Sequence, residues 1–304
     1  MSKILILGGT RFLGRALCEY LALNGNEVSI SSRKRMPIDL PITQYTCERL
    51  ELSSSKINLS DHDYVIDFTA YKPNDLEMLP SGIPREAYIL VSTDWISKMG
   101  AFNSNHSAQL SDINFRYALN KSYTEKFATD KFEGKTIILR LPVALGVHDH
   151  HNRLGFYRAR ALRNRGQLLV EDDFDVSYIM LQDFILACQQ VLSTNYQLPQ
   201  IITAISKTES YNNLIRKFNN MFKKPNSFIE YTLLAKSEIS RIFPRFAKVD
   251  PLLYEKVNFA LDSNYIIGKS LLELTGISSE QIAFTHLTNL QLQALEEERR
   301  GLSV

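Results

Sequence analysis

The chain has 304 residues, a formal net charge of +2, and 44% hydrophobic and 22% charged residues. That is ordinary globular composition, long enough for one large domain or two modest ones; it excludes a disordered chain, and so small a charge does not by itself point to nucleic acid. No apolar run approaches the roughly 18 to 20 residues that span a bilayer, so no membrane partner is expected.

The N-terminus runs straight into the apolar Ile4 to Leu7, without the basic start, longer apolar stretch and cleavage site of a signal peptide. Lys3 to Leu7 reads as a strand. Phe12 to Leu23 has apolar residues at helical spacing and stops at Asn24-Gly25. Glu27 to Ser31 is a second strand and Ile42 to Thr46 a third. Tyr64 to Thr69 and Ala87 to Ser92 follow as strands, Ser107 to Lys131 as a long helix, and Thr136 to Leu141 as another strand. Strands alternating with helices predict an α/β fold, a doubly wound Rossmann-type parallel sheet with helices on both faces.

After Leu141 the pattern changes. Asn152 to Arg165 reads as a basic amphipathic helix, Val176 to Met180 as a strand and Gln182 to Leu192 as a helix. A strand at Gln200 to Ala204, a helix at Tyr211 to Phe222, a strand at Ser227 to Thr232 and a terminal helix at Gln281 to Arg300 complete the reading. No repeat, low-complexity tract or linker interrupts it. The expected division is a dinucleotide-binding Rossmann domain over 1–146 and a smaller α/β substrate lobe over 147–304, within which the chain is free to cross back to the sheet. Cys18, Cys47 and Cys188 are scattered, odd in number and show no CxxC spacing; a disulfide framework or zinc site is not expected, and a reducing cytoplasm fits.

Gly8-Gly9-Thr10-Arg11-Phe12-Leu13-Gly14 joins the first strand to the first helix. A loop there must bend tightly and bring backbone N–H groups to a pyrophosphate, at a helix N-terminus that carries partial positive charge. NAD sites of this type carry an acid at the end of the second strand, about 20 residues on, for the ribose hydroxyls. Here that region reads Ser31-Ser32-Arg33-Lys34-Arg35, with no acid. An acid repels a 2′-phosphate, and an arginine pairs with it bidentately. NADP(H) is therefore favoured over NAD(H), with Arg33 as the selector and Arg11 as a second cation.

Tyr117 and Lys121 lie one helical turn apart on one face. A nearby ammonium favours a phenolate and lowers a tyrosine pKa that is ordinarily about 10. The run Val91-Ser92-Thr93-Asp94 brings hydroxyls to the sheet edge where ligands bind in such folds.

With these motifs the chain resembles the short-chain dehydrogenase/reductase superfamily, in its extended and atypical, epimerase-like branch. Asp67-Phe68-Thr69-Ala70 resembles the strand beside the cofactor, Leu139-Arg140-Leu141-Pro142 the segment bordering the nicotinamide, and Tyr178 to Phe184 the passage into the substrate lobe. Phe259-Ala260-Leu261-Asp262 resembles the C-terminal substrate-lobe signature. The resemblance implies that Tyr117 is the acid–base residue, that Lys121 binds the nicotinamide ribose and depresses Tyr117, and that Thr93, less readily Ser92, hydrogen-bonds the reacting oxygen. It implies cofactor contacts from Gly8, Thr10, Arg11, Phe12, Leu13, Gly14, Ser32, Arg33, Phe68, Thr69, Ala70, Ser92, Tyr117, Lys121, Leu141 and Pro142. It also implies a homodimer paired through sheet-flanking helices.

Two departures bear on substrate. Dehydratases of the family follow Thr-Asp with Glu, where this chain has Trp95. Many sugar-nucleotide epimerases carry an asparagine shortly after the sixth strand, where this chain reads Leu141-Pro142-Val143-Ala144. His148-Asp149-His150-His151 reads as a polar loop and not as a metal site, because adjacent rings rarely converge on one ion. Arg158, Arg160, Arg163 and Arg165 do not all share one face and read as solvated surface, and Asn74 and Asp75 read as ordinary turn residues. The expectation is an NADP(H)-dependent oxidoreductase acting on a carbonyl or secondary alcohol of a small molecule. A nucleotide-sugar epimerase or reductase that uses the cofactor transiently stays open, as does a non-catalytic NADP-binding sensor or RNA-associated protein; a nucleic-acid partner is not the favoured reading.

Overall fold

The computed structural model describes residues 1–98, 112–146, 148–149, 151–162, 167–171, 173–194, 200–222 and 231–234. In chain order its elements are β1 (Lys3–Leu7), α1 (Phe12–Leu23), β2 (Glu27–Ser32), β3 (Ile42–Thr46), β4 (Tyr64–Asp67), α2 (Asn74–Glu77), β5 (Ala87–Thr93), α3 (Trp95–Lys98), α4 (Asp112–Lys131) and β6 (Thr136–Leu141). They continue with β7 (Val143–Leu145), α5 (Arg153–Leu162), β8 (Gln167–Val170), β9 (Asp175–Met180), α6 (Leu181–Ser193), β10 (Gln200–Thr203), β11 (Lys207–Ser210), α7 (Tyr211–Phe222) and β12 (Tyr231–Leu234). Short 3-10 turns at Arg49–Ser54 and Leu59–Asp61 lie between β3 and β4.

Seven strands form one parallel sheet in the order β10-β6-β5-β4-β1-β2-β3. The sheet is buried on both faces. Along β1, Ile4 and Ile6 enter the core under α1 and α6, while Leu5 and Leu7 face Tyr88, Leu90, Ala128 and Phe132 on the other side. A strand covered on both faces is continuously apolar, which is what Ile4 to Leu7 is. The chain winds outward from β1 through β2 and β3, then returns to start the other half at β4. That reversal opens a crevice at the C-terminal ends of β1 and β4, where ligands bind in open α/β sheets.

Beyond β6 the chain builds a smaller lobe and also rejoins the large sheet. β7, β9 and β11 form a three-stranded sheet, and β8 pairs with β12. Tyr157, Tyr178, Tyr211 and Phe218 are fully buried in that lobe's core, with Tyr157 and Phe218 5.2 Å apart. α6 returns to cover α1, where Tyr20 donates to Gln189 at 2.6 Å, and β10 extends the sheet beside β6.

β4 stops at Asp67, two residues before the apolar run ends. The Asp67 carboxylate accepts the amides of Thr69 and Ala70 and turns the chain. β7, β8 and β11 are not anticipated by the sequence pattern: they are only three or four residues long, and β11 is Lys207-Thr208-Glu209-Ser210, with no apolar signature. β12 at Tyr231–Leu234 overlaps the end of the strand expected at Ser227 to Thr232; residues 223–230 lie outside the described residues, as do Gln281 to Arg300 and Phe259 to Asp262. No helix among the described residues is long and apolar enough to cross a membrane.

Candidate active site

The glycine-rich loop sits at the crevice. Gly8 donates its N–H to the Ser31 carbonyl at 2.9 Å, and Phe68 donates to Leu7 at 3.0 Å, so the ends of β1, β2 and β4 are tied side by side. Gly8 has φ +90°, and a Cβ there would lie 2.6 Å from the Thr69 Cγ2. A Cβ on Gly14 would lie 2.6 Å from the Gly8 carbonyl oxygen, so only glycine lets α1 begin this close to the loop. Within the loop, Arg11 has φ −136°, an extended conformation open to any residue. The left-handed backbone falls instead on Phe12, φ +41°, a non-glycine residue under local strain. The first turn of α1 has no acidic residue and no side-chain cap, leaving its N–H groups to an anion.

Arg11 and Arg33 are exposed, and neither makes a side-chain hydrogen bond or ion pair among the described residues. Ser32 turns its hydroxyl onto the Lys34 carbonyl at 2.6 Å, which bends the chain directly after β2. Ser31 lies 3.2 Å from the Cys47 thiol.

Thr93 closes β5, is 6% exposed, and accepts the Trp95 N–H at 3.3 Å. Tyr117 on α4 is half-buried, with ring centroids 6.4 Å from Tyr71 and 6.3 Å from Trp95. Lys121 is 2% exposed, and its ammonium donates to the Ala70 carbonyl at 2.8 Å and the Val91 carbonyl at 2.7 Å. Burial lowers Lys121 to about 8, against the opposing pull of Asp67 and Glu125. The expected depression of Tyr117 is not found. Burial, the Tyr71 phenol and Asp94 push its phenol well up, and the Lys121 ammonium is directed at two backbone carbonyls. Ser92 is drawn away from the crevice: it donates to Glu125 at 2.6 Å, and Glu125 holds Arg140 through two N–H groups.

The sequence reading missed Arg49. Its guanidinium donates to both Asp67 oxygens at 3.0 and 2.7 Å and to the Thr69 hydroxyl at 2.6 Å, while Tyr88 donates to Asp67 at 2.6 Å. Burial opposes the charge of Asp67, but Arg49 and these donors outweigh it and hold the carboxyl below its usual range. The available signal was a lone aspartate inside the apolar run Tyr64 to Thr69, because a buried carboxylate requires a cation.

Among the other expected contacts, the Phe68 ring packs edge-on against Phe184 at 5.9 Å, Ala70 is fully buried, and Leu141 accepts the Asp94 N–H at 3.0 Å just before Pro142. Thr10 and Leu13 are partly exposed on the loop. Both Asp149 oxygens accept from the Arg153 Nη1 at 2.9 Å, and Asp149 also accepts the His151 N–H, which makes it the anchor of the α5 N-terminus. Arg160 lies over the Phe156 ring at 5.7 Å. His150, Arg163 and Arg165 lie outside the described residues.

No family model matches the chain, and no curated protein matches it. Solved structures do. A UDP-glucuronic acid 4-epimerase from Bacillus cereus, in complex with UDP-glucuronic acid and NAD, is 15% identical; the match covers 91% of this chain and 98% of that one, with a TM-score of 0.58. The chain has the fold of these epimerases. The epimerase fold is matched again by a UDP-glucose 4-epimerase from Thermotoga maritima with UDP-glucose, at 15% identity over 78% of this chain and 87% of that one, TM-score 0.55. A proposed epimerase of Burkholderia cenocepacia J2315 matches at 15% identity over 95% and 97%, TM-score 0.62. The resemblance to the extended, epimerase-like branch is upheld at the level of fold.

Proposed function

We propose that this chain is an NADP(H)-binding enzyme of the epimerase kind, acting at a secondary alcohol or its carbonyl in a small molecule, with nucleotide-linked sugars as the first substrate class. The observation that supports the reading is the run of contacts from the glycine cradle to α4: Thr69 packs behind Gly8, and Lys121 donates to the carbonyls of Ala70, the next residue, and Val91. The cradle fits a dinucleotide: two positions where a Cβ would collide, an uncapped helix start, and two uncommitted arginines. The solved relatives bind NAD or UDP-sugars by their own descriptions, which supports epimerisation over net reduction. Arg11 and Arg33, with no acid after β2, support NADP(H) for this chain.

When bound, the dinucleotide supplies a hydride donor or acceptor at its nicotinamide. Epimerisation requires the substrate carbinol to lose a hydride and its hydroxyl proton and to regain both, the hydride on the opposite face. Tyr117 carries that proton on its phenolic oxygen. Its raised proton affinity keeps the free protein's phenol neutral and ready to donate. Thr93 keeps its own hydroxyl proton to give to the substrate oxygen, since the Trp95 contact uses it as acceptor. Lys121 gives two of its three N–H donors to the Ala70 and Val91 carbonyls and offers the third to the ribose.

Net carbonyl reduction is the second reading, favoured by Pro142-Val143-Ala144, where many sugar-nucleotide epimerases carry asparagine. The test is to identify by mass the nucleotide retained on purification, then follow it with UDP-sugars and with carbonyl compounds. A retained cofactor that is unchanged through turnover supports epimerisation; stoichiometric NADPH consumption supports reduction. Nucleotide binding without either reaction contradicts both.

A further inference from the structure

Arg49 is far from the reacting groups in sequence and is joined to them by an unbroken run of hydrogen bonds. Its Nη1 and Nη2 grip the Asp67 carboxylate, and its Nε donates to the Asp75 carbonyl at 2.9 Å, fixing the guanidinium from a third direction. Asp67, with no solvent exposure, accepts from the Thr69 N–H at 2.7 Å and the Ala70 N–H at 3.1 Å. Those two bonds set the turn after β4 and aim the Ala70 carbonyl at the Lys121 ammonium, 2.8 Å away. The same turn places the Thr69 side chain behind Gly8, so the back wall of the glycine loop is set as well.

We propose that Arg49, acting through Asp67, is the positioning residue for Lys121 and for the glycine loop; its part in catalysis rests on the function proposed above. The argument is one of balance as well as geometry. Asp67, Glu125 and Asp75 act on the Lys121 ammonium as anions, Arg49 as a cation, and the Tyr71 ring lies 5.9 Å from its nitrogen. Arg49 and Asp67 therefore pull Lys121 in opposite directions while holding each other. A salt bridge that served only to hold the fold together would loosen the site whichever partner were removed, and Lys121 would drift toward an ordinary lysine in both cases. A charge-balanced positioning pair gives opposite shifts.

The experiment follows the Lys121 Nζ resonance by 15N-lysine NMR on the full chain, assigned by its loss in Lys121→Arg, together with NADPH binding by fluorescence. Tyr88→Phe keeps the ion pair, and with it the Asp67 charge, while removing one donor from the carboxylate, and raises the Lys121 midpoint; Asp67→Asn leaves Arg49 unopposed and lowers it. Arg49→Met removes the cation that the buried Asp67 requires and releases the turn, weakening NADPH binding by roughly tenfold, and Arg49→Lys restores part of that binding. Midpoints that move the same way in Tyr88→Phe and in Asp67→Asn, or that do not move, overturn the proposal. Failure of the unmodified protein to bind NADP(H) removes the functional reading alone, because the lysine titration needs no nucleotide.

Discussion

Ser92 donates its hydroxyl to Glu125 at 2.6 Å, in the buried layer between β5 and α4. Glu125 also takes Arg140, which spans to Ser97. Ser92 thus works inside the fold, and Thr93, the next residue, is the hydroxyl left at the crevice. Ser92→Ala removes a bond to a buried carboxylate and costs about 2 kcal/mol of stability. The expected outcome is a lower Tm with turnover of the folded protein kept within a few-fold. Loss of turnover at unchanged Tm would return Ser92 to the chemistry.

Tyr117→Phe deletes one oxygen at a half-buried position that is flanked by Tyr71 and Trp95. The rings still pack, so stability and NADP(H) affinity stay close to the unmodified protein. Turnover falls by roughly 10²- to 10⁴-fold, the usual worth of a positioned acid–base group. Full activity on the physiological substrate would remove Tyr117 from its role.

Lys121 sets a pH dependence whose sign is fixed by its depressed proton affinity. In the fold it titrates near 8, against 10.5 when solvated, because burial disfavours its charge. Affinity for NADP(H) should therefore be highest below pH 8 and decline as the pH rises through that value and the ammonium becomes a neutral amine. Stability moves the other way. Between the two values the folded state binds fewer protons than the unfolded chain, so this group adds stability as the pH rises from about 8 to 10.5 and loses it on descending through 8. Lys121→Met should flatten both profiles; a decline in affinity that survives the substitution would assign it elsewhere.

Gly14→Ala places a methyl 2.6 Å from the Gly8 carbonyl, against backbone that has no free rotation to yield. The loop must open, which costs about 1 to 3 kcal/mol and weakens nucleotide binding by at least tenfold. Calorimetric titration of the variant checks it, and unchanged affinity would place the nucleotide elsewhere.

Much of the fold was legible because its signals are local. The β1 apolar run, the Asn24-Gly25 stop and the Tyr211 to Phe222 helix all follow from burial and caps, and the parallel sheet with helices on both faces follows from alternation; the strand order came only from the structure. Of the candidate site, the local geometry was legible where the signal is short and contiguous: the strand–loop–helix turn at Gly8 to Gly14 and the helix carrying Tyr117 and Lys121. Arg49 was not, since an arginine 18 residues from Asp67 has no periodic signature, and only folding brings its guanidinium onto the carboxylate. The Tyr117 proton affinity was misjudged for a related reason. Spacing on a helix puts Lys121 on the right face, but the Ala70 and Val91 carbonyls decide where its ammonium goes.

The central claim is that the glycine loop holds NADP(H), with the exposed Arg33 beside it meeting the 2′-phosphate. The direct measurement is paired calorimetric titration of NADPH and NADH, at one fixed salt concentration, on the unmodified protein and on Arg33→Ser. A charge-assisted arginine–phosphate contact is worth about 1.5 to 3 kcal/mol, so the account predicts a preference for NADPH of roughly 10- to 100-fold. Arg33→Ser should remove most of that preference and leave NADH affinity unchanged. Tighter binding of NADH than of NADPH by the unmodified protein would contradict the account.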